Sequence, residues 1–151
     1  MFVLLAAVAG TVTTPLAQPP LQPWSALVGH CWVGSAPGKA GTDKHCFESV
    51  YGGQHVRDRH AVTVDGREVY AGESVYSAKG PQVIFTYWNS LGGLGTGTAV
   101  VSGDEWRFNG TIHATAGGAE QPMVAVWKMV PSGYEVREGE GGKSRLFRRD
   151  H

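Results

Sequence analysis

From Leu27 onward, apolar and polar residues alternate in short runs that end at Gly, Asp or Asn, and no window holds a helical period for more than about two turns. Period-two alternation places successive side chains on opposite faces of a strand, so the pattern predicts a chain built almost wholly of strands. They are expected at residues 27–34, 44–51, 54–64, 67–77, 82–89, 96–102, 105–108, 111–115, 123–130 and 134–138, with 144–148 closing. A Pro-rich segment, 18–23, leads into them. The fold class is all-β, a single antiparallel up-and-down barrel of about 8–10 strands. The stretch Ser90-Leu91-Gly92-Gly93-Leu94-Gly95 reads as a loop at a barrel mouth.

Three dipeptides set the register, because two-residue hairpin turns need positive φ and Gly adopts it freely. They are Gly52-Gly53, Asp65-Gly66 and Asn109-Gly110. Counting back from Gly52-Gly53 sets Ser49 against Val56, Phe47 against Asp58 and His45 against His60. On the other face Glu48 meets Arg57, and a solvent-facing cross-strand ion pair supports that register independently. The Asp65-Gly66 turn then sets His60 against Ala71, Asp58 against Glu73 and Val56 against Val75.

One face therefore collects Trp32, Phe47, Tyr51, Val56, Val62, Val69 and Val75, together with His30, His45, Asp58, His60 and Glu73. Its apolar members put it inside the barrel. The polar ones must then be hydrogen-bonded, hydrated or used for binding. The Asn109-Gly110 turn groups Trp106 and His113 in a second aromatic patch, and Trp88 follows Phe85 and Tyr87 in a strand rich in rings. The candidate ligand-binding set is His30, His45, Tyr51, Asp58, His60, Glu73, Trp88, Trp106 and His113. Two facing imidazoles beside a carboxylate also have the ligand types of a metal site, although no motif assigns a metal or a cofactor. A bulge would reverse the faces and turn His55, Arg57 and Arg59 inward.

Thirteen basic and thirteen acidic residues among 151 cancel, which removes the field that draws a protein to nucleic acid or an anionic membrane. Twenty-two glycines against eight prolines suit many strands joined by tight turns. Residues 1–17, apolar and ending Pro15-Leu16-Ala17, read as a signal peptide cleaved before Gln18, leaving 18–151 as one domain in the periplasm or secreted. The run is too short to span a bilayer. Two cysteines in an exported chain predict one disulfide, Cys31 to Cys46.

The stretch Leu27-Val28-Gly29-His30-Cys31-Trp32-Val33-Gly34 resembles the Gly-x-Trp signature of the calycins, the lipocalin and fatty-acid-binding barrels, with one extra residue between Gly29 and Trp32. The resemblance implies that Trp32 closes one barrel end and that a basic residue of the last strand, Arg145 or Arg148, packs against it. Nitrobindins, haem-binding ten-stranded barrels, share the general pattern but use a His near the carboxyl end. Here no His lies between His113 and His151. The expected function is an exported binding or carrier protein holding a small, apolar or amphipathic ligand. The alternatives are a cell-envelope structural protein with a filled barrel and an enzyme using the internal His, Asp and Glu cluster. No Gly-x-Ser-x-Gly, His-Glu-x-x-His or phosphate loop backs an enzyme.

Overall fold

The computed structural model describes residues 14–38 and 40–151, so most of the predicted signal peptide lies outside the described residues. A 3₁₀ segment, Pro19–Ala26, precedes ten strands: β1 Cys31–Ser35, β2 Thr42–Val50, β3 His55–Val64, β4 Arg67–Lys79, β5 Gln82–Asn89, β6 Gly92–Ser102, β7 Glu105–Thr115, β8 Glu120–Val130, β9 Gly133–Glu138 and β10 Arg145–Arg149. Each strand pairs antiparallel with the next, and β1 pairs with β10, so the sheet closes into a barrel without a free edge.

The hairpin between β3 and β4 turns on Asp65 and Gly66, both at positive φ (49° and 75°), as its sequence demands. At the β2–β3 connection the turn takes in four residues, Tyr51–Gln54, and Tyr51 itself adopts φ 53°. Below it the expected register holds throughout: Ser49 opposes Val56, Phe47 opposes Asp58, His45 opposes His60 and Glu48 opposes Arg57. Arg57 donates to Glu48 at 2.8 Å on the outer face, with Arg59 beside them. The alternative in which these arginines face inward is overturned.

Two departures from the expected register have local causes. In β4 an extra residue beside Val62 and Thr63 forms a bulge, so Val62 opposes Tyr70, Asp58 opposes Ser74 and Val56 opposes Tyr76. Because side chains alternate strictly, this one residue sends Glu73 outside, opposite Arg59, and brings Tyr70, Ser74 and Tyr76 inside. Asn109-Gly110 is not a turn. β7 runs straight through it, and the hairpin lies at Gly103 and Asp104 instead. Gly110 opposes Gly97 on β6, where a Cβ on Gly110 would come within 2.1 Å of the Thr96 carbonyl oxygen and one on Gly97 within 2.2 Å of that of Asn109. The glycine serves close strand approach there rather than chain reversal. The predicted loop 90–95 is a tight turn at Ser90 and Leu91 leading directly into β6, held by the Asn89 side chain, whose Oδ1 accepts from the Leu91 and Gly93 amides at 2.9 Å each.

The Pro-rich segment, taken from sequence as a mere lead-in, is the barrel's stopper. Pro at its start pre-sets the helical φ, and Leu21, Trp24 and Leu27 are fully buried. Trp24 lies against Tyr76 and Trp106 with ring centroids 5.3 and 5.8 Å apart. Leu16 joins the same cluster, and the Ala17 amide donates to the Gly53 carbonyl at 2.9 Å. The indole N–H of Trp24 and of Trp106 and the hydroxyl of Tyr134 are buried without a partner among the described residues. Trp32 is buried at this end too, donating to the Leu27 carbonyl at 3.3 Å.

The cation over Trp32 is Arg149, with its guanidinium carbon 5.7 Å from the ring, rather than Arg145 or Arg148. Along β10 the residues 145, 147 and 149 share the inner face, so Arg148 points out and Arg145 belongs to the opposite end. Cys31 and Cys46 oppose one another on β1 and β2 and form the predicted disulfide on the outer face.

Candidate functional site

Between the stopper and the opposite end the barrel encloses a cavity of about 630 Å³. Its inner wall carries Tyr76, Phe85, Phe108 and Trp127, and its rim carries Val69, Leu91, Ile112 and Met123. Near the rim four polar residues line the wall together, Asp43, His45, Asp58 and His60.

Alternation along β2 and β3 places these four. Asp43, His45 and Phe47 succeed one another at every second residue, as do Val56, Asp58, His60 and Val62, and all point inward. Each aspartate is only 2% exposed, so each carboxylate needs partners. His45 Nδ1 donates to Asp58 Oδ2 at 2.8 Å, and His45 Nε2 lies 3.3 Å from Asp43 Oδ1. His60 Nδ1 approaches the same Asp43 Oδ1 at 3.3 Å. Arg145 donates to the other oxygen, Asp43 Oδ2, at 3.1 Å and to Glu138 at 3.1 Å. The two imidazoles stack with centroids 4.7 Å apart.

A chain of hydroxyls continues from His60. Its Nε2 is 3.2 Å from the Tyr87 hydroxyl, which bonds in turn to that of Tyr70. Gly72 makes room for this junction, because a Cβ there would lie 2.5 Å from His60 Nε2 and 2.6 Å from the Tyr87 oxygen.

The electrostatics follow from this geometry. Burial alone would lower the His45 imidazole, but the charge of Asp58, the hydrogen bonds of both aspartates and the charge of Asp43 outweigh it and raise the imidazole to about 10. For Asp43 burial acts upward, and the hydrogen bonds and charges of His45 and His60 hold it far below the ordinary carboxylate range. Burial, with the Tyr70 hydrogen bond adding to it, pushes the Tyr87 phenol well up, so it stays protonated. Near neutral pH the cluster therefore holds the Asp43 carboxylate against the His45 imidazolium, beside the neutral Tyr87 phenol.

Of the residues singled out from sequence, His45, Asp58 and His60 come together as expected. Trp106 is buried against the stopper. The others lie elsewhere. Tyr51 is 83% exposed at the turn, because the wider turn carries it off the sheet. Glu73 is turned outward by the β4 bulge, and Trp88, opposite it on β5, shares the outer face. His113 lies outside because β7 does not reverse at Asn109-Gly110, and it donates from Nδ1 to the Gly118 carbonyl at 2.8 Å. His30 sits edge-on to Trp32 at the stoppered end, where burial first and the nearby Arg149 second lower its imidazole.

Sequence reasoning missed Asp43, Tyr70 and Tyr87 and assigned Arg145 to the wrong end. Extending the alternation of His45 and Phe47 back by two residues would have found Asp43. The same alternation from Phe85 would have found Tyr87.

No family model and no curated protein matches the chain. Among solved structures, the barrel is similar to that of Rv2717c from M. tuberculosis, with a TM-score of 0.61 and 16% identity over 90% of this chain and 99% of that one. The likeness is one of fold.

Proposed function

We propose that this protein is a carrier or binding protein that holds a small, partly apolar molecule in the barrel lumen. The observation that carries the reading is the cavity itself, about 630 Å³ bounded by aromatic walls at the stoppered end and by a cluster of buried polar groups near the rim. A drug-sized molecule fits such a volume, with a few polar groups orienting an otherwise apolar guest. A barrel filled by its own side chains has no such space, which favours binding over a purely structural role.

The guest's polar group is neutral or cationic in this reading. Asp43, Asp58 and Glu138 line the cavity, no Lys or Arg stands among its lining residues, and the His45 imidazolium is already held between Asp43 and Asp58. A fatty-acid carboxylate would meet like charge there, whereas an amine or hydroxyl meets acceptors, and the rings of Trp127 and Phe108 suit a cation or an apolar body. Kinship with the calycins is supported by Trp32 beneath Arg149 at one barrel end. Export is supported by the disulfide, which persists in oxidising compartments.

The test is native mass spectrometry of the purified protein for a co-purifying small molecule, followed by titration with the uncharged fluorophore N-phenyl-1-naphthylamine. Saturable binding that Ala125→Trp abolishes, by filling the lumen, is expected. A protein that carries nothing and gives no saturable signal refutes the reading.

A further inference from the structure

We infer that Asp43, His45 and His60 form a binding site for one divalent transition ion of the zinc class. The ligand atoms are Asp43 Oδ1, His45 Nε2 and His60 Nδ1, which all lie within 4.8 Å of one another. The site occupies the polar end of the cavity described above, but it does not depend on any luminal guest.

Four observations carry it. The first is spacing. Ligand atoms about 2.0–2.1 Å from a tetrahedral ion lie about 3.3 Å from each other. The two contacts from Asp43 Oδ1 to the imidazole nitrogens are both 3.3 Å. The second is the use of the remaining atoms. Imidazoles that ligate a metal characteristically give their other nitrogen to a carboxylate or another acceptor, which fixes the tautomer and aims the lone pair. Here His45 Nδ1 is held by Asp58 at 2.8 Å and His60 Nε2 by the Tyr87 hydroxyl at 3.2 Å. Asp43 is likewise oriented through its second oxygen by Arg145 at 3.1 Å, which leaves Oδ1 free to ligate.

The third observation is charge. Asp43 and Glu138 flank the guanidinium of Arg145 and Asp58 holds His45, so three carboxylates face one fixed positive charge, and the ion would take the place of the proton on His45 Nε2. The fourth is access, since all three ligating residues line the cavity wall. Three protein ligands leave the fourth tetrahedral position to water or to a lone pair of a guest. Seating the ion requires the imidazoles, stacked at 20°, to splay so that both lone pairs meet at one point. Two imidazoles and one carboxylate select zinc-like ions over calcium or magnesium, which prefer all-oxygen shells.

The experiment uses zinc chloride alone, titrated calorimetrically into chelator-treated full-length protein, with cobalt(II) as a spectroscopic substitute. One ion per chain and cobalt absorbance of tetrahedral type are expected. His45→Gln and His60→Gln should each weaken zinc binding by about 100-fold or more, and Asp58→Asn by about 10–100-fold. His113→Gln, on the outer wall, should bind as the wild type does. Circular dichroism of each variant verifies the fold, and Tyr87→Phe, which removes only a hydroxyl, tests the arrangement should a His variant fail to fold. Absence of zinc binding, or zinc binding kept at wild-type strength in His45→Gln and His60→Gln, overturns the inference. Zinc binding without any fluorophore binding leaves this site standing and the luminal carrier reading refuted, and the reverse result separates the two in the opposite sense.

Discussion

Replacing Trp24 tests whether the Pro-rich segment stoppers the barrel or merely lies against it. The side chain is fully buried between Tyr76 and Trp106. An aromatic side chain of this kind covers about 150–250 Å². At about 25 cal/mol per Å² that is about 4–6 kcal/mol, an upper figure because the unfolded chain already hides part of its surface. Against this stands the indole N–H, buried without a partner among the described residues, whose removal recovers about 1–3 kcal/mol of desolvation cost. The difference is about 1–5 kcal/mol, and the cavity left by the indole adds to it, so Trp24→Ala should destabilise by about 3–5 kcal/mol, and Trp24→Phe, which keeps a six-membered ring and drops the pyrrole part with its N–H, by less than about 1.5 kcal/mol. Urea unfolding followed by far-ultraviolet circular dichroism reads both, with an unchanged slope showing that the comparison is of like states. If Trp24→Ala costs under about 1 kcal/mol, or Trp24→Phe costs as much as Ala, the stopper is not a packed part of the core.

His45, raised to about 10 in the folded protein, keeps a proton that the unfolded chain loses near 6.5, so its contribution is complete below about 6.5 and is lost as pH rises through about 10. Urea midpoints of wild type should fall across that window more steeply than those of His45→Gln, and parallel curves would contradict the assignment. Reducing the Cys31–Cys46 bond, which joins residues 15 apart, should cost about 3 kcal/mol, measured as the drop in stability between oxidised and reduced protein. Arg149→Ala should cost about 1 kcal/mol through its lost contact with Trp32, while Arg148→Ala stays within about 0.5 kcal/mol. Equal effects of the two in urea melts would remove Arg149 from its place over the ring.

The all-β barrel was legible because strand alternation and turn glycines are local signals, and the β2–β3 register was legible because a turn and the Glu48–Arg57 match agreed. That sufficed to bring His45, Asp58 and His60 together. What followed Val62 was not legible, since the β4 bulge is decided by how the strand packs across the barrel, and a single uncounted residue exchanged Glu73 for Ser74 and hid Tyr70 from view. Asn109-Gly110 misled for a related reason: a glycine needed for close approach to Gly97 carries the same letters as one needed for a turn. The stopper was missed because a short 3₁₀ segment has no period long enough to read. Arg149 was missed because β10 extends one residue beyond the strand predicted there, and inward parity selects 145 and 149 rather than 148.

The pairing of β1 with β10 joins the two ends of the sheet across almost the whole length of the chain. The hairpin of β1 and β2, with its disulfide, needs only neighbouring residues and can form early, whereas Trp32 finds its partner opposite Arg149 only after the last strand has arrived. Until then β1 and β9 present raw edges to other chains, and neither Arg145 nor Arg149 is available to neutralise Asp43 or to cover the indole. Closure is thus the longest-range pairing of the fold, and a chain lacking β10 would expose two strand edges of the kind that invite association.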